Sequence, residues 1–206
     1  LSNHVTLLLP ITEIYFQQSV ITQVASIILM DGIILLSVIA FFLELSTKKN
    51  VNLFNFIKNL FLNPFILSII IGLLFLLLNF NIDQTPIEYT LSKLAACVSP
   101  VGLFAIGITL SFYTKNVINK LSVSISVLKL VISPIILLLI GLVFFNAGLP
   151  AEIPGAFFVS VAPCGVTSIV LCAAYNVSPE NIIKAIFVST IASIGTIFFA
   201  IKYLTL

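Results

Sequence analysis

The stretch Pro154-Gly155-Ala156-Phe157-Phe158-Val159-Ser160-Val161-Ala162-Pro163-Cys164-Gly165-Val166-Thr167-Ser168-Ile169-Val170-Leu171-Cys172-Ala173-Ala174-Tyr175-Asn176 decides the fold. It is uncharged, apolar and long enough to cross a bilayer as a helix, which takes ~20 residues. Yet it carries a proline near its centre. Proline in that position removes a backbone hydrogen bond and exposes a carbonyl that hydrocarbon cannot satisfy. A helix broken at Pro163 would present the amides of Gly165, Val166 and Thr167 at the positive end of a half-helix. That arrangement suits a carboxylate or another anion, with Cys164 and Ser168 beside it. The competing account is a proline kink healed by the hydroxyls of Thr167 or Ser168.

Working outward, the rest of the chain shares this solvent. Of 206 residues, 60% are hydrophobic and 8% charged, and the mean hydropathy is +1.26, whereas a soluble domain carries about 25% charged residues. Proline, glycine, asparagine and the rare charges divide the sequence into one short apolar piece, residues 3–16, interrupted by Pro10, and six longer helices. These cover about residues 20–44, 64–79, 90–112, 121–145, 154–176 and 179–204. Pro64, Pro154 and Pro179 open their helices, where no intrahelical N–H bond is lost. Pro100 and Pro134 are internal and read as kinks. Residues 51–58 are amphipathic and too short to cross, so they are expected at the interface. The fold class is therefore all-α and polytopic, in contact with the lipid bilayer.

Positively charged short loops stay in the cytoplasm. Lys48, Lys49 and Lys58 fall in one loop, Lys115 and Lys120 in a second, and Lys184 just after a third; by alternation these share a side. The opposite loops hold Asp83, Glu88 and Glu152, and the C-terminus faces outward with them, although Lys93 and Lys202 on that side weaken the bias. A net charge of +2 on scattered lysines excludes a nucleic-acid partner, which requires a clustered basic face. Cys97, Cys164 and Cys172 show no disulfide or zinc spacing and read as buried structural thiols; no metal or cofactor is expected. One histidine, one mid-span aspartate and no Ser/His, Asp/Asp or HExxH arrangement argue against an enzyme.

Asp31 stands in the middle of the first full span, where an ionisable group costs several kcal/mol unless it faces a partner or a polar cavity. Lys129 sits a third of the way into its span; it either snorkels to the interface or provides a counter-charge for an anion or Asp31. His4 is either a proton-coupling group or an interfacial polar residue. Asn3 offers both donors and acceptors. Asn3-His4-Val5-Thr6 followed by Tyr15 matches Cys164-Gly165-Val166-Thr167 followed by Tyr175 at nearly equal spacing, and each precedes one full span. The match is either an inverted repeat, common in secondary transporters, or chance. The chain opens at Leu1 without an initiator Met or a basic region ahead of an apolar core, so an N-terminal truncation is expected.

Four stretches together resemble the auxin efflux carrier family of plant carriers and bacterial malate or malonate permeases. They are Asn63-Pro64 with Gly72; Ser99-Pro100 with Leu103, Gly107 and Leu110; Lys129 with Pro134; and Ala162-Pro163-Cys164-Gly165-Val166 with Ala173, Tyr175, Ser189 and Thr190. The resemblance implies part of a ten-helix inverted-repeat transporter with crossed broken helices, of which six full spans and one half-helix are present. Residues 1–45 would end the first repeat, 46–62 form a cytoplasmic loop with an interfacial segment, and 63–206 form the second five-helix repeat. Leu1-Ser2-Asn3-His4-Val5 falls on the first crossover, with Ser2 where the family usually has proline, and Ala162-Pro163-Cys164-Gly165-Val166 on the second. An elevator mechanism is implied, in which the short piece, the Asp31 and Lys129 spans and the last two helices move past the Pro64 and Pro100 helices. The Pro100 helix would contribute to a homodimer interface.

The expectation is thus a secondary carrier of small organic anions in the bacterial cytoplasmic (inner) membrane. Substrate would be bound by Asn3, Pro163, Cys164, Gly165, Val166, Thr167 and Ser168, with Asp31, Lys129 and His4 supporting the crossover or coupling. The alternatives are a non-transporting sensor or subunit module and a sodium-coupled symporter of the bile-acid type.

Overall fold

Hydrocarbon offers the backbone no hydrogen bonds, so a chain this apolar must satisfy its amides within its own helices. The computed structural model describes residues 1–47, 53–113, 116–145 and 153–204, and all regular structure among them is helical. The elements are a π-helical turn His4–Leu8 leading into α1 (Leu9–Tyr15), α2 (Gln18–Met30), a second π-helical turn Asp31–Leu35, α3 (Leu36–Thr47), α4 (Leu53–Phe61), α5 (Pro64–Leu77) and α6 (Pro86–Ser111). Then follow α7 (Lys120–Val127), a third π-helical turn Leu128–Ile132, α8 (Ser133–Phe145), α9 (Pro154–Ser160), α10 (Thr167–Ala174) and α11 (Glu180–Leu204). Lys48, Lys49, Lys115 and Glu152, used above for orientation, lie outside the described residues.

Four stretches among the described residues are long and apolar enough to span: Gln18–Ser46, Pro86–Ser111, Lys120–Phe144 and Glu180–Leu204. The six expected spans are corrected at two places. The fifth is not one helix but α9 and α10, separated by irregular backbone. The second, α5, has 14 residues, a length of about 21 Å against a hydrocarbon core of about 30 Å. Its start follows the sequence: Pro64 takes the first position, and the Asn63 side chain accepts the Phe65 amide at 2.9 Å. The spans leave most of their apolar side chains exposed, as suits helices whose solvent is lipid.

The chain divides into two compact units, residues 1–28 with 99–206 and residues 29–98. In the first, Leu8, Val20, Val24, Phe157, Phe158, Ala162, Ile197 and Ala200 form a buried cluster. Its most extensive helix pairing is α7 with α11. The buried positions there are small: Ser122 and Ser126 on α7, Ala185, Ser189 and Ser193 on α11. Small residues let helix axes approach closely where no hydrophobic force drives them together. Lys184, read above as a loop charge, is instead buried in α11 and paired with Glu180 at 2.7 Å.

In the second unit, Gly32 allows its π-helical turn to meet α5; a Cβ there would lie 3.0 Å from Ile69 Cδ1. Phe41 and Phe56 hold α4 to α3 with ring centroids 5.4 Å apart. Phe54, Ile57 and Phe61 of α4 stay exposed, the pattern of a helix lying in an interface. Of the cysteines, Cys172 is buried, Cys164 half-buried and Cys97 exposed, which corrects the reading of all three as buried thiols.

Candidate functional site

An α-helix that stops in mid-span must find partners for the groups it releases. α9 ends at Ser160 and α10 begins at Thr167, so residues 161–166 lie outside both. In an unbroken helix the Ser160 and Val161 carbonyls would accept from the amides of Cys164 and Gly165. Here the Cys164 amide donates to Ser189 Oγ at 3.1 Å. The Gly165 amide donates to the Leu1 carbonyl at 3.0 Å. The carbonyls are met separately: Lys129 Nζ lies 3.4 Å from Ser160 O, and Thr196 Oγ1 lies 3.2 Å from both Val161 O and Ser193 O. The ammonium of Lys129 thus sits at the carbonyl end of α9, where the helix field favours a cation.

The other partner is the start of the chain. Leu1-Ser2-Asn3 runs antiparallel to Pro163-Cys164-Gly165, with Ser2 opposite Cys164. The Asn3 amide donates to Pro163 O at 2.9 Å, and the Gly165 amide to Leu1 O at 3.0 Å. These two bonds are related by a local two-fold that equates Ser2 with Cys164, one residue away from the sequence match that equates Asn3 with Cys164. Gly165 is required by close approach: a Cβ would strike Ser2 O and lie 2.7 Å from the Ser2 carbonyl carbon.

Past this pairing the chain enters the turn His4–Leu8. Thr6 donates its hydroxyl to Asn3 Oδ1. Pro10, lacking an N–H, cannot serve the Thr6 carbonyl four residues back; Ser99 Oγ of α6 donates to it at 2.6 Å. Asn3 is 2% exposed, and its Nδ2 is buried with no hydrogen-bond partner. Thr190 Oγ1, one residue beyond Ser189, is a second such atom.

Asn3, Pro163, Cys164 and Gly165 are therefore brought together, with Val166, Thr167 and Ser168 continuing into α10. Two expectations change. The Gly165 amide is used by Leu1 and is not available to an anion. The Ser168 and Ile169 amides turn back to the Gly165 and Val166 carbonyls at 3.2 and 2.8 Å, so the amide of Thr167, first in α10, is the one without an intrahelical acceptor by position. The kink healed by Thr167 or Ser168 is replaced by a break whose released groups are met by Ser189, Thr196, Lys129 and the first three residues. Lys129 faces α9 rather than snorkelling. His4 is buried in the π-helical turn, not at an interface, and lies within electrostatic reach of Lys129. Asp31 opens the turn Asp31–Leu35 in the second unit.

Sequence reasoning missed Thr6, Ser99, Ser189 and Thr196 as parts of the assembly. A signal existed: Ser189 and Thr196 are seven apart, on one face of a helix, and Ser99 directly precedes a proline. Among the described residues no three His, Cys, Asp or Glu side chains gather as metal ligands.

The family described as membrane transport protein matches the chain over residues 3–201. No curated protein and no solved structure matches it.

Proposed function

We propose, from the premise that the chain belongs to the membrane transport protein family of the auxin efflux carriers, that it is a secondary carrier of small organic anions. The observation that carries this reading is the buried Asn3 Nδ2, a donor without an acceptor beside a helix start. Leaving such a group unmet costs about 1–3 kcal/mol. A carboxylate oxygen meets it, and the charge makes the bond stronger than one to a neutral acceptor. The first amide of α10 and the hydroxyls of Thr167 and Ser168 add donors on the other side, at the positive end of an eight-residue helix.

In this reading the two extended segments are the crossing points of two broken helices. Their hydrogen bonds to one another, to α11 and to Lys129 suit a substrate-bearing body that moves as one piece. The lysine bias gives the orientation, with the C-terminus outside.

Uptake of labelled malate and a panel of other carboxylates into proteoliposomes tests the reading. Saturable uptake that falls by about tenfold or more in Asn3→Ala supports it, the factor being that of one lost charge-assisted hydrogen bond. Correctly inserted protein that takes up no carboxylate would overturn it in favour of a sensor or subunit.

A further inference from the structure

We infer that Thr6 is a positioning residue that sets the polarity of this site by deciding which end of the Asn3 amide faces the ligand. The inference rests on the anion-carrier reading above.

An asparagine side chain has an acceptor end and a donor end, and either can be presented by a half-turn about its last bond. At Asn3 that choice is removed. The backbone is pinned on both sides, its amide to Pro163 O at 2.9 Å and its carbonyl to the Leu8 amide at 3.3 Å. The Thr6 hydroxyl takes Oδ1. What remains is Nδ2, buried and without an acceptor. In the reverse orientation Nδ2 would spend itself on the Thr6 oxygen, and Oδ1 would face the ligand. The site would then repel a carboxylate and welcome a donor.

Thr6 can hold this orientation because three contacts hold Thr6. Its carbonyl, released by Pro10, accepts Ser99 Oγ at 2.6 Å. Its methyl lies against Gly102, where an added Cβ would come within 2.7 Å of Cγ2. Its hydroxyl is directed to Asn3. A β-branched side chain with its methyl and hydroxyl both placed has a single rotamer available. The Ser99-Pro100-Val101-Gly102 segment of α6 is thus the support through which Asn3 is oriented.

Protection of Cys164 against N-ethylmaleimide reads this out, since Cys164 is half-buried in the break and Cys172 is buried. A Cys97→Ser background removes the exposed thiol. Succinate and its uncharged diamide, succinamide, are compared as protectants. In the parent background succinate is expected to protect at concentrations about tenfold below succinamide. In Thr6→Val, which keeps the shape and loses the hydroxyl, the ratio should collapse toward about one, because Asn3 can then offer either end. Thr6→Ser should keep the parent ratio. Loss of structure alone would weaken both protectants together and leave their ratio unchanged. A Thr6→Val ratio equal to the parent's would overturn the inference and leave the anion-carrier reading standing. Absence of protection by any carboxylate in the parent background would overturn both. Should Thr6→Val fail to insert, Thr6→Ala replaces it: a collapsed ratio supports the inference and a parental ratio overturns it.

Discussion

Pro10 and Pro163 each interrupt a helix in the apolar part of the chain, with opposite results. At Pro10 the chain keeps winding: the turn His4–Leu8 widens and α1 follows directly. One carbonyl is released, that of Thr6, and one hydroxyl from Ser99 meets it. At Pro163 the helix is given up over residues 161–166. There the released groups meet Leu1, Asn3, Lys129, Ser189 and Thr196. Both prolines remove one donor, so proline chemistry alone does not separate them. The difference is the supply of polar groups from other elements. Pro134 falls with Pro10, since α8 follows the turn Leu128–Ile132 without a break.

If outside partners hold the break open, their removal should matter more than the proline itself. Gly165→Ala should have the largest effect, about 3 kcal/mol or more, because its Cβ meets backbone that cannot yield without losing both inter-segment hydrogen bonds. Thermal unfolding in nanodiscs would measure it; an unchanged midpoint would mean that the two segments can separate freely. Next in size is Ser189→Ala, which leaves the buried Cys164 amide unmet at a cost of about 1–3 kcal/mol. Ser99→Ala should cost less, about 1 kcal/mol, since a carbonyl tolerates partial satisfaction better than an amide does. A reversal of that order would show that the widened turn at Pro10 depends more on its partner than the break does. Pro163→Ala should do least, below about 1 kcal/mol, with the Cys164 alkylation rate unchanged, because the restored N–H enters a segment already committed elsewhere. Closure of the break into continuous helix, seen as lost Cys164 reactivity, would return the decision to the proline.

Much of the fold was legible because its causes are local. Asn63-Pro64 marks the start of α5, since a cap and a first-position proline act within one turn. The position of the break was legible from Pro163 within an uncharged span. Its form was not. The Gly165 amide read as a free donor because nothing near it in sequence competes for it; Leu1, from the other end of the chain, does. Lys184 read as a loop charge because it follows a proline and an acidic residue, but burial in α11 and pairing with Glu180 give it a structural place.

By itself the sequence determined that this is an all-helical membrane protein interrupted at Pro163, because hydropathy and the missing proline N–H need no distant information. The tertiary structure alone decided that the interruption is a break, that Asn3 presents its donor end, and that Thr6, Ser99, Ser189 and Thr196 serve it. Aside from the short Thr6–Asn3 link, the partners stand 25, 31, 35 and 93 residues from the groups they satisfy. Which polar groups come together over such separations depends on how the helices pack, and no local pattern records it.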